Sequence, residues 1–119
     1  MKVVAFNGSA RKDGNTATMV RWVFDELEKK GIETELYQMK GKKIQGCIAC
    51  YKCFENKDQQ CAVQKDVVNE CIDKMLAADG IILASPVYFA DVSAQIKALI
   101  DRAGMTAIAN DAMFRRKLG

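Results

Sequence analysis

Histidine is absent from this sequence of 119 residues, and its absence excludes several kinds of active site. Catalysis by Ser-His-Asp or Cys-His arrangements uses an imidazole as the general base. Zinc sites with imidazole ligands are excluded for the same reason. The candidate sites are therefore those that need no imidazole.

Long apolar stretches are missing as well. A transmembrane helix needs about 18 or more consecutive apolar residues, and the sequence contains no such run. The apolar start of the chain reaches polar residues at Asn7, which is too early for a signal peptide. The length fits one domain, because domains usually have roughly 100–150 residues. We therefore expect a single soluble, cytoplasmic domain over residues 1–119, without a membrane partner.

The sequence also lacks a strong charge of either sign. It has 18 Lys and Arg against 15 Asp and Glu, which gives a net charge of +3. This charge is too small and too dispersed to indicate nucleic-acid binding. The two basic clusters, Lys40–Lys43 and Arg115–Lys117, are expected to be solvated loops.

The apolar pattern predicts an α/β fold with a parallel sheet. Predicted strands lie at 3–6, 32–36 and 81–84, and predicted helices carry apolar stripes within 17–27, 67–76 and 92–103. Strands that alternate with helices favour parallel pairing with right-handed crossovers. A doubly wound sheet usually has about five or more strands. The predicted sheet is therefore truncated after the third strand and helix, either as a fragment or as a sheet that a partner subunit completes.

Three details of these elements are also predicted. The continuous apolar run Ile81–Ala84 is typical of a strand that is buried on both faces. Gly104 is expected to end the last helix. Cys71 lies on the apolar face of the second long helix and is expected to be a buried core residue.

The loop after the first strand has the composition of a phosphate site. Ligands of open parallel sheets bind beyond the carboxyl ends of the strands, and a helix N-terminus suits a phosphate. Ser9, Asn15 and Thr16 can donate hydrogen bonds, and Arg11 can form a charge-assisted pair. The spacing matches neither a P-loop nor a dinucleotide fingerprint. The alternative is a plain turn in which Asn15 or Thr16 caps the helix.

Four of the five cysteines lie in an irregular segment at about 38–64. Cys47, Cys50 and Cys53 form a C-x2-C-x2-C run, and Cys61 follows. Loops of this length are uncommon without a function. Such a run with a fourth cysteine nearby is typical of a [4Fe-4S] cluster. Structural zinc, which more often uses two separated C-x2-C pairs, a disulfide network and free redox-active thiols are the alternatives.

The segment after the third strand contains a proline and two adjacent aromatic residues. Pro86, Val87, Tyr88 and Phe89 follow the strand directly. Apolar rings at the carboxyl end of a strand, near a phosphate loop, suit a flat heteroaromatic ligand. The alternative is that Tyr88 and Phe89 cover the core or an oligomer interface.

Together, these three segments resemble the NADPH-dependent FMN reductase family. Gly8-Ser9-Ala10-Arg11 followed by Gly14-Asn15-Thr16 is similar to the FMN phosphate loop of that family. Ser85-Pro86-Val87-Tyr88 and the following helix, which contains Ile100-Asp101-Arg102, look like its second flavin-binding loop. The cysteine run is similar to that of the iron–sulfur flavoproteins, a branch found in anaerobic archaea and bacteria.

The resemblance implies a flavodoxin-like fold with non-covalently bound FMN. It assigns the phosphate to Ser9, Arg11, Asn15 and Thr16, the isoalloxazine ring to Pro86, Val87, Tyr88 and Phe89, and the cluster to Cys47, Cys50, Cys53 and Cys61. It also implies a homodimer or homotetramer with the flavin near a subunit interface.

The preferred function is that of an electron-transfer oxidoreductase that couples FMN to a [4Fe-4S] cluster. FMN exchanges electrons in pairs or singly, the cluster passes single electrons, and the protein supplies position and electrostatics. No catalytic side chain is needed. The electron donor is expected to be a ferredoxin or NAD(P)H. The alternatives are a cluster-free NAD(P)H-dependent FMN or quinone reductase and, in another class, a zinc-binding or thiol redox-sensing module without enzymatic activity.

Overall fold

A computed structural model describes all residues from 1 to 119. The predicted strands and helices occur in the predicted order, and three short elements that were not predicted, a helix within the cysteine segment and two strands after the third predicted strand, lie between them. The strands are β1 (Lys2–Asn7), β2 (Glu33–Gln38), β3 (Gly80–Ala84), β4 (Val87–Phe89) and β5 (Asp91–Val92). The helices are α1 (Asn15–Glu28), α2 (Lys52–Asn56), α3 (Val68–Ala77) and α4 (Ala94–Ala109). None of these helices combines the length and the apolar character that crossing a membrane requires.

The main sheet has three strands in the order β2-β1-β3, and both pairs are parallel. The predicted α/β class with a parallel sheet is therefore confirmed. The central strand β1 is almost wholly buried, as its continuous apolar run predicts. Because β2 and β3 lie on opposite sides of β1, the strand order reverses between β1 and β3. Ligands of open α/β sheets bind at such a switch point, beyond the carboxyl ends of the strands.

Helices cover both faces of this sheet. Val4 and Phe6 of β1 belong to a core cluster with α3 and α4, whereas Val3 and Ala5 pack with α1. This division follows from the alternation of side chains along a strand. Full burial of a large apolar side chain stabilises the fold by about 1.5–3 kcal/mol.

The strand β3 is less buried than its apolar run predicts. It lies at the outer side of the sheet, and Leu83 is 44% exposed. The prediction of burial on both faces is therefore wrong for this strand, because covering it fully requires a further neighbour. Only Leu118 approaches its free edge: it forms an isolated parallel bridge with Gly80, and its carbonyl accepts the Ile81 N–H at 2.8 Å.

The last helix differs from the prediction at both ends. It continues past Gly104 to Ala109, and Val92 belongs to β5 rather than to the helix. Glycine inside a helix costs about 1 kcal/mol relative to alanine, but residues beyond Gly104 are buried against the rest of the protein and offset that cost. The helix begins after Ser93, whose Oγ accepts the Ile96 N–H at 3.4 Å.

Candidate functional site

The loops after β1 and β3 contact each other at the switch point of the sheet. The Gly8 N–H donates to the Ala84 carbonyl at 2.8 Å. The Ala10 N–H donates to the Tyr88 hydroxyl at 2.8 Å, across 78 positions of sequence. The structure therefore brings two of the three segments singled out from the sequence into one crevice.

Short hydrogen bonds shape the first loop from within. The Asn7 side-chain oxygen accepts the Ser9 N–H at 3.0 Å, and Ser9 Oγ accepts the Arg11 N–H at 3.0 Å. Asn7 also donates to the side chain of Gln38 at 2.9 Å. Asn7 therefore organises this loop, a role that was not predicted from the sequence. The available signal was an asparagine at a strand end, where its side chain commonly bonds the backbone two residues further on.

The start of α1 has no side-chain cap. The helix begins at Asn15, and Gly14 precedes it without any side-chain cap. The interpretation of Asn15 or Thr16 as the cap is therefore wrong. Backbone N–H groups in the first turn of a helix lack partners within the helix, and this first turn contains no acidic residue. Arg11 is exposed nearby and forms no ion pair.

Gly8 allows this loop to lie directly on the start of α4. A Cβ atom at this position would come within 2.1 Å of Ile96 Cγ1 and 2.7 Å of Ser93 Oγ. Contacts this short are not tolerated, so any side chain would push the loop away from the helix. The absence of a side chain at Gly8 thus sets the position of the whole loop.

The segment after β3 forms an exposed apolar hairpin. The strands β4 and β5 are antiparallel, and Ala90 between them has a positive φ of 59°. Val87 is 71% exposed, Tyr88 60% and Phe89 91%. The two rings therefore do not cover the core of this chain, which contradicts that part of the alternative. An exposed apolar patch beside a crevice is typical of a ligand or protein contact.

All four predicted cysteine ligands line one small cavity of about 20 Å³. Cys47 and Cys50 are exposed, Cys53 and Cys61 are half-buried, and none is paired in a disulfide. The rest of the wall is mostly apolar and consists of Ile48, Ala49, Tyr51, Ala62, Val63, Arg102, Met105 and Thr106. Burial raises the pKa of the Cys53 thiol above its ordinary value.

The backbone between these cysteines has an unusual conformation. Ala49 and Tyr51 have positive φ values of 53° and 55°. The Ala49 N–H donates to Cys47 Sγ at 3.4 Å. Backbone that alternates between right- and left-handed residues forms concave N–H surfaces, which occur at many iron–sulfur sites.

The four cysteine side chains are suitable ligands for a metal or an iron–sulfur cluster, but their sulfur atoms do not converge on a single point. No group of three or more Cys, Asp or Glu side chains has an arrangement that could hold one metal ion. Structural zinc needs four ligands arranged tetrahedrally around one ion, whereas an iron–sulfur cluster takes one thiolate at each of several irons. By donor type, the four cysteines fit such a cluster.

Arg102, which was singled out from the sequence only through the resemblance of its helix to a flavin-binding segment, is buried next to the cysteine cavity. Arg102 is 1% exposed, and its guanidinium pairs with the Asp66 carboxylate. Burial alone would raise the pKa of Asp66, but hydrogen bonds from Arg102 and from two backbone N–H groups hold that pKa below its ordinary value. The signal in the sequence was the position of Arg102 three residues after Leu99, within an apolar helical stripe. Arginine is almost never fully buried unless it is paired.

Comparison with known proteins extends these observations. The family model described as NADPH-dependent FMN reductase matches residues 1–119. An iron-sulfur flavoprotein of Methanocaldococcus jannaschii is 46% identical over 102 residues, which cover 86% of this chain and 51% of the relative. An iron-sulfur flavoprotein of Methanosarcina thermophila is 35% identical over 119 residues, which cover 100% of this chain and 60% of the relative.

The fold also resembles solved structures. The NAD(P)H:quinone oxidoreductase from Methanothermobacter marburgensis superimposes with a TM-score of 0.69 at 15% identity, over 87% of this chain and 52% of that chain. This likeness confirms the predicted flavodoxin-like fold class. The chain spans about half the length of the curated relatives it matches. On the match along its whole length, the chain belongs to the NADPH-dependent FMN reductase family.

Proposed function

We propose that this protein is an FMN-binding oxidoreductase that passes electrons between FMN and a [4Fe-4S] cluster. The contact between the loops after β1 and β3 carries the proposal. It joins the Ala10 N–H to the Tyr88 hydroxyl and so supports one binding site that is shared by the loop before α1 and the exposed aromatic hairpin. One molecule that is anionic at one end and aromatic at the other can occupy both features.

The phosphate end of FMN fits the loop after β1. Arg11 offers an unpaired guanidinium, and Asn15 and Thr16 offer the free N–H groups of the first helical turn. Ser9 is buried in the same loop, and its Oγ accepts the Arg11 N–H and so helps to position Arg11. Charge-assisted hydrogen bonds between a guanidinium and a phosphate are about twice as strong as neutral ones.

The isoalloxazine ring fits the hairpin after β3. Pro86 is half-buried at its base, and Val87, Tyr88 and Phe89 expose apolar surface. A flat ring laid on this surface removes apolar area from water, which contributes about 25 cal/mol for each Å². The hydroxyl of Tyr88 ties the hairpin to the phosphate loop and so sets the distance between the two ends of the site.

The four thiols that would hold the cluster are those of Cys47, Cys50, Cys53 and Cys61, which line one small cavity. Bound together, FMN and a cluster supply two-electron and one-electron transfer in one protein, while the polypeptide provides position and electrostatics. The chain itself supplies the thiolates, the mostly apolar walls and the N–H groups that face sulfur. A cluster-free NAD(P)H-dependent FMN or quinone reductase is the second candidate, because no three of the thiols converge on one point.

The electron donor in this proposal is a ferredoxin or NAD(P)H, both of which are anionic. A groove of about 830 Å³ has four lysines and two aspartates in its wall, and this excess of positive charge supports an anionic donor. The lysines are Lys42, Lys43, Lys65 and Lys97, of which Lys97 pairs with Asp101. The active form in this proposal is a homodimer or homotetramer, in which a second copy covers the apolar hairpin.

Binding of FMN to Arg11→Ala tests the flavin site. In phosphate-free buffer, the flavin-free protein should bind FMN more tightly than riboflavin, because only FMN has a phosphate group that can reach the loop after β1. Arg11→Ala should weaken FMN binding by roughly tenfold or more, since a hydrogen bond to a charged group contributes about 1.5–3 kcal/mol. Riboflavin binding should not change. Fluorescence titration of the flavin measures both constants.

Lys30→Ala is the matched control. Lys30 is exposed and follows the C-terminal end of α1, so this substitution also removes one positive charge but does so at the opposite end of the helix from Arg11. It should leave both flavin affinities unchanged. If Arg11→Ala binds FMN as the unchanged protein does, the loop after β1 is not the phosphate site.

A further inference from the structure

Arg102 connects the two ends of the cysteine loop. Its guanidinium donates to the Gln45 carbonyl at 3.1 Å, before the first cysteine, and to the Val63 carbonyl at 2.8 Å, after the last one. It also pairs with the Asp66 carboxylate, which in turn accepts the Gln45 N–H at 3.0 Å. Gln45 and Val63 flank the 17 residues from 46 to 62, so one side chain of α4 holds both ends of the cysteine loop.

The same guanidinium reaches one of the candidate ligands. Arg102 Nη2 donates to Cys61 Sγ at 3.4 Å. Arg102 is also part of the wall of the cavity that the four cysteines line. Its Nε is buried and has no hydrogen-bond acceptor in the protein. A buried N–H donor without a partner costs about 1–3 kcal/mol, so the contacts of the two Nη atoms hold the side chain in place against that cost.

We propose that Arg102 is a positioning residue for the sulfur centre: it holds Cys61 in the cavity wall and places a buried positive charge beside the group that the four cysteines bind. This inference rests on the proposed function. Reduction adds negative charge to an iron–sulfur cluster, so a nearby cation and N–H···S bonds favour the reduced form.

Arginine is suited to this position by its shape as well as by its charge. Its planar group reaches Asp66, two backbone carbonyls and Cys61 at the same time. Lysine carries the same charge on a single nitrogen and cannot make this set of contacts. Arg102→Lys therefore removes the clamp and keeps the charge, and Arg102→Gln removes both.

The first experiment is hydrogen–deuterium exchange on the metal-free protein. The N–H groups of Gln45 and Cys61 are hydrogen-bonded to Asp66 and Asn69 respectively, so their exchange reports opening of the loop. Both amides should exchange roughly tenfold faster in Arg102→Lys and in Arg102→Gln. Amides of α1 should keep their rates. Arg115→Gln, which removes an exposed arginine, is the control.

The second experiment is a redox titration of the reconstituted protein, followed by the spectroscopic signal of the reduced cluster. The midpoint potential should fall in Arg102→Gln and should remain closer to that of the unchanged protein in Arg102→Lys. Arg102→Gln leaves the buried Asp66 carboxylate without its cation. The titration is therefore repeated on the double variant Arg102→Gln/Asp66→Asn, and its potential is compared with that of Asp66→Asn alone. This pair keeps the test valid if the single variant fails to fold.

Two results would overturn the inference. If loop exchange in both Arg102 variants equals that of Arg115→Gln, Arg102 does not hold Cys61. If exchange accelerates while the potential stays constant, the charge of Arg102 has no role beside the centre. If the unchanged protein binds no iron at all, the proposed function has failed, and the exchange rates alone then decide whether Arg102 positions Cys61.

Discussion

Two kinds of cysteine occur in this chain, and their surroundings decide what each can do. Cys71 is completely buried in the core on α3, as its place in an apolar stripe predicts. Burial raises the pKa of its thiol from an ordinary value of 9.0 to about 12. The loop cysteines instead line a shallow cavity at the surface. Position in the fold, rather than residue type, separates a core thiol from candidate ligands.

Alkylation of the metal-free protein tests this separation. Since the thiolate is the reactive form, Cys71 should react with iodoacetamide at neutral pH at least roughly a hundredfold more slowly than Cys47. Mass spectrometry of the peptides measures each rate, and the denatured protein is the control in which all five thiols should react alike. Equal rates for Cys71 and Cys47 in the native protein would show that the core around α3 is open.

At the scale of elements, the site depends on how closely the loop after β1 lies on α4. Gly8 has no space for a side chain, because Ile96 and Ser93 occupy the position of its Cβ. Ser93 caps α4, and its N–H donates to Ser85 Oγ at 2.7 Å. The two loops of the crevice and the start of α4 therefore form one packed unit.

Gly8→Ala tests this packing. The added methyl group overfills the contact with α4 and should lower the free energy of unfolding by about 1–3 kcal/mol. Gly104→Ala is the matched control, because nothing lies within 4 Å of a Cβ at that helical position. It should raise the free energy of unfolding by about 0.5–1 kcal/mol. Urea denaturation measures both, and a loss of stability no larger in Gly8→Ala than in the control would refute the close contact.

Local pattern predicts most elements of this fold but not all of their ends. The apolar runs of β1 and β3 and the stripes of α1 and α3 identify those elements directly, because each is a local pattern. The hairpin of β4 and β5 has no apolar alternation of its own, and α4 passes Gly104 because tertiary packing outweighs helix propensity. The role of Arg102 depends on partners about 40 and 57 positions away, at Val63 and Gln45, which no local pattern contains.

At the scale of the whole molecule, the main sheet has an open edge at β3. Leu83 is exposed there, and only Leu118 bonds to this edge of the strand. The chain spans about half the length of the curated relatives it matches. Both candidate cofactor regions nevertheless lie within residues 1–119: the crevice at the carboxyl ends of β1 and β3, and the cysteine cavity against α4.

Anaerobic purification followed by an absorption spectrum, with flavin, iron and acid-labile sulfide assayed on the same sample, tests whether both cofactors bind to this chain. We expect flavin bands with a broad iron–sulfur absorption and about four irons per chain. In Cys53→Ser, the iron should be lost and the flavin retained, because the two regions use different residues. Flavin without iron in the unchanged protein, or iron unaffected by Cys53→Ser, would contradict the account.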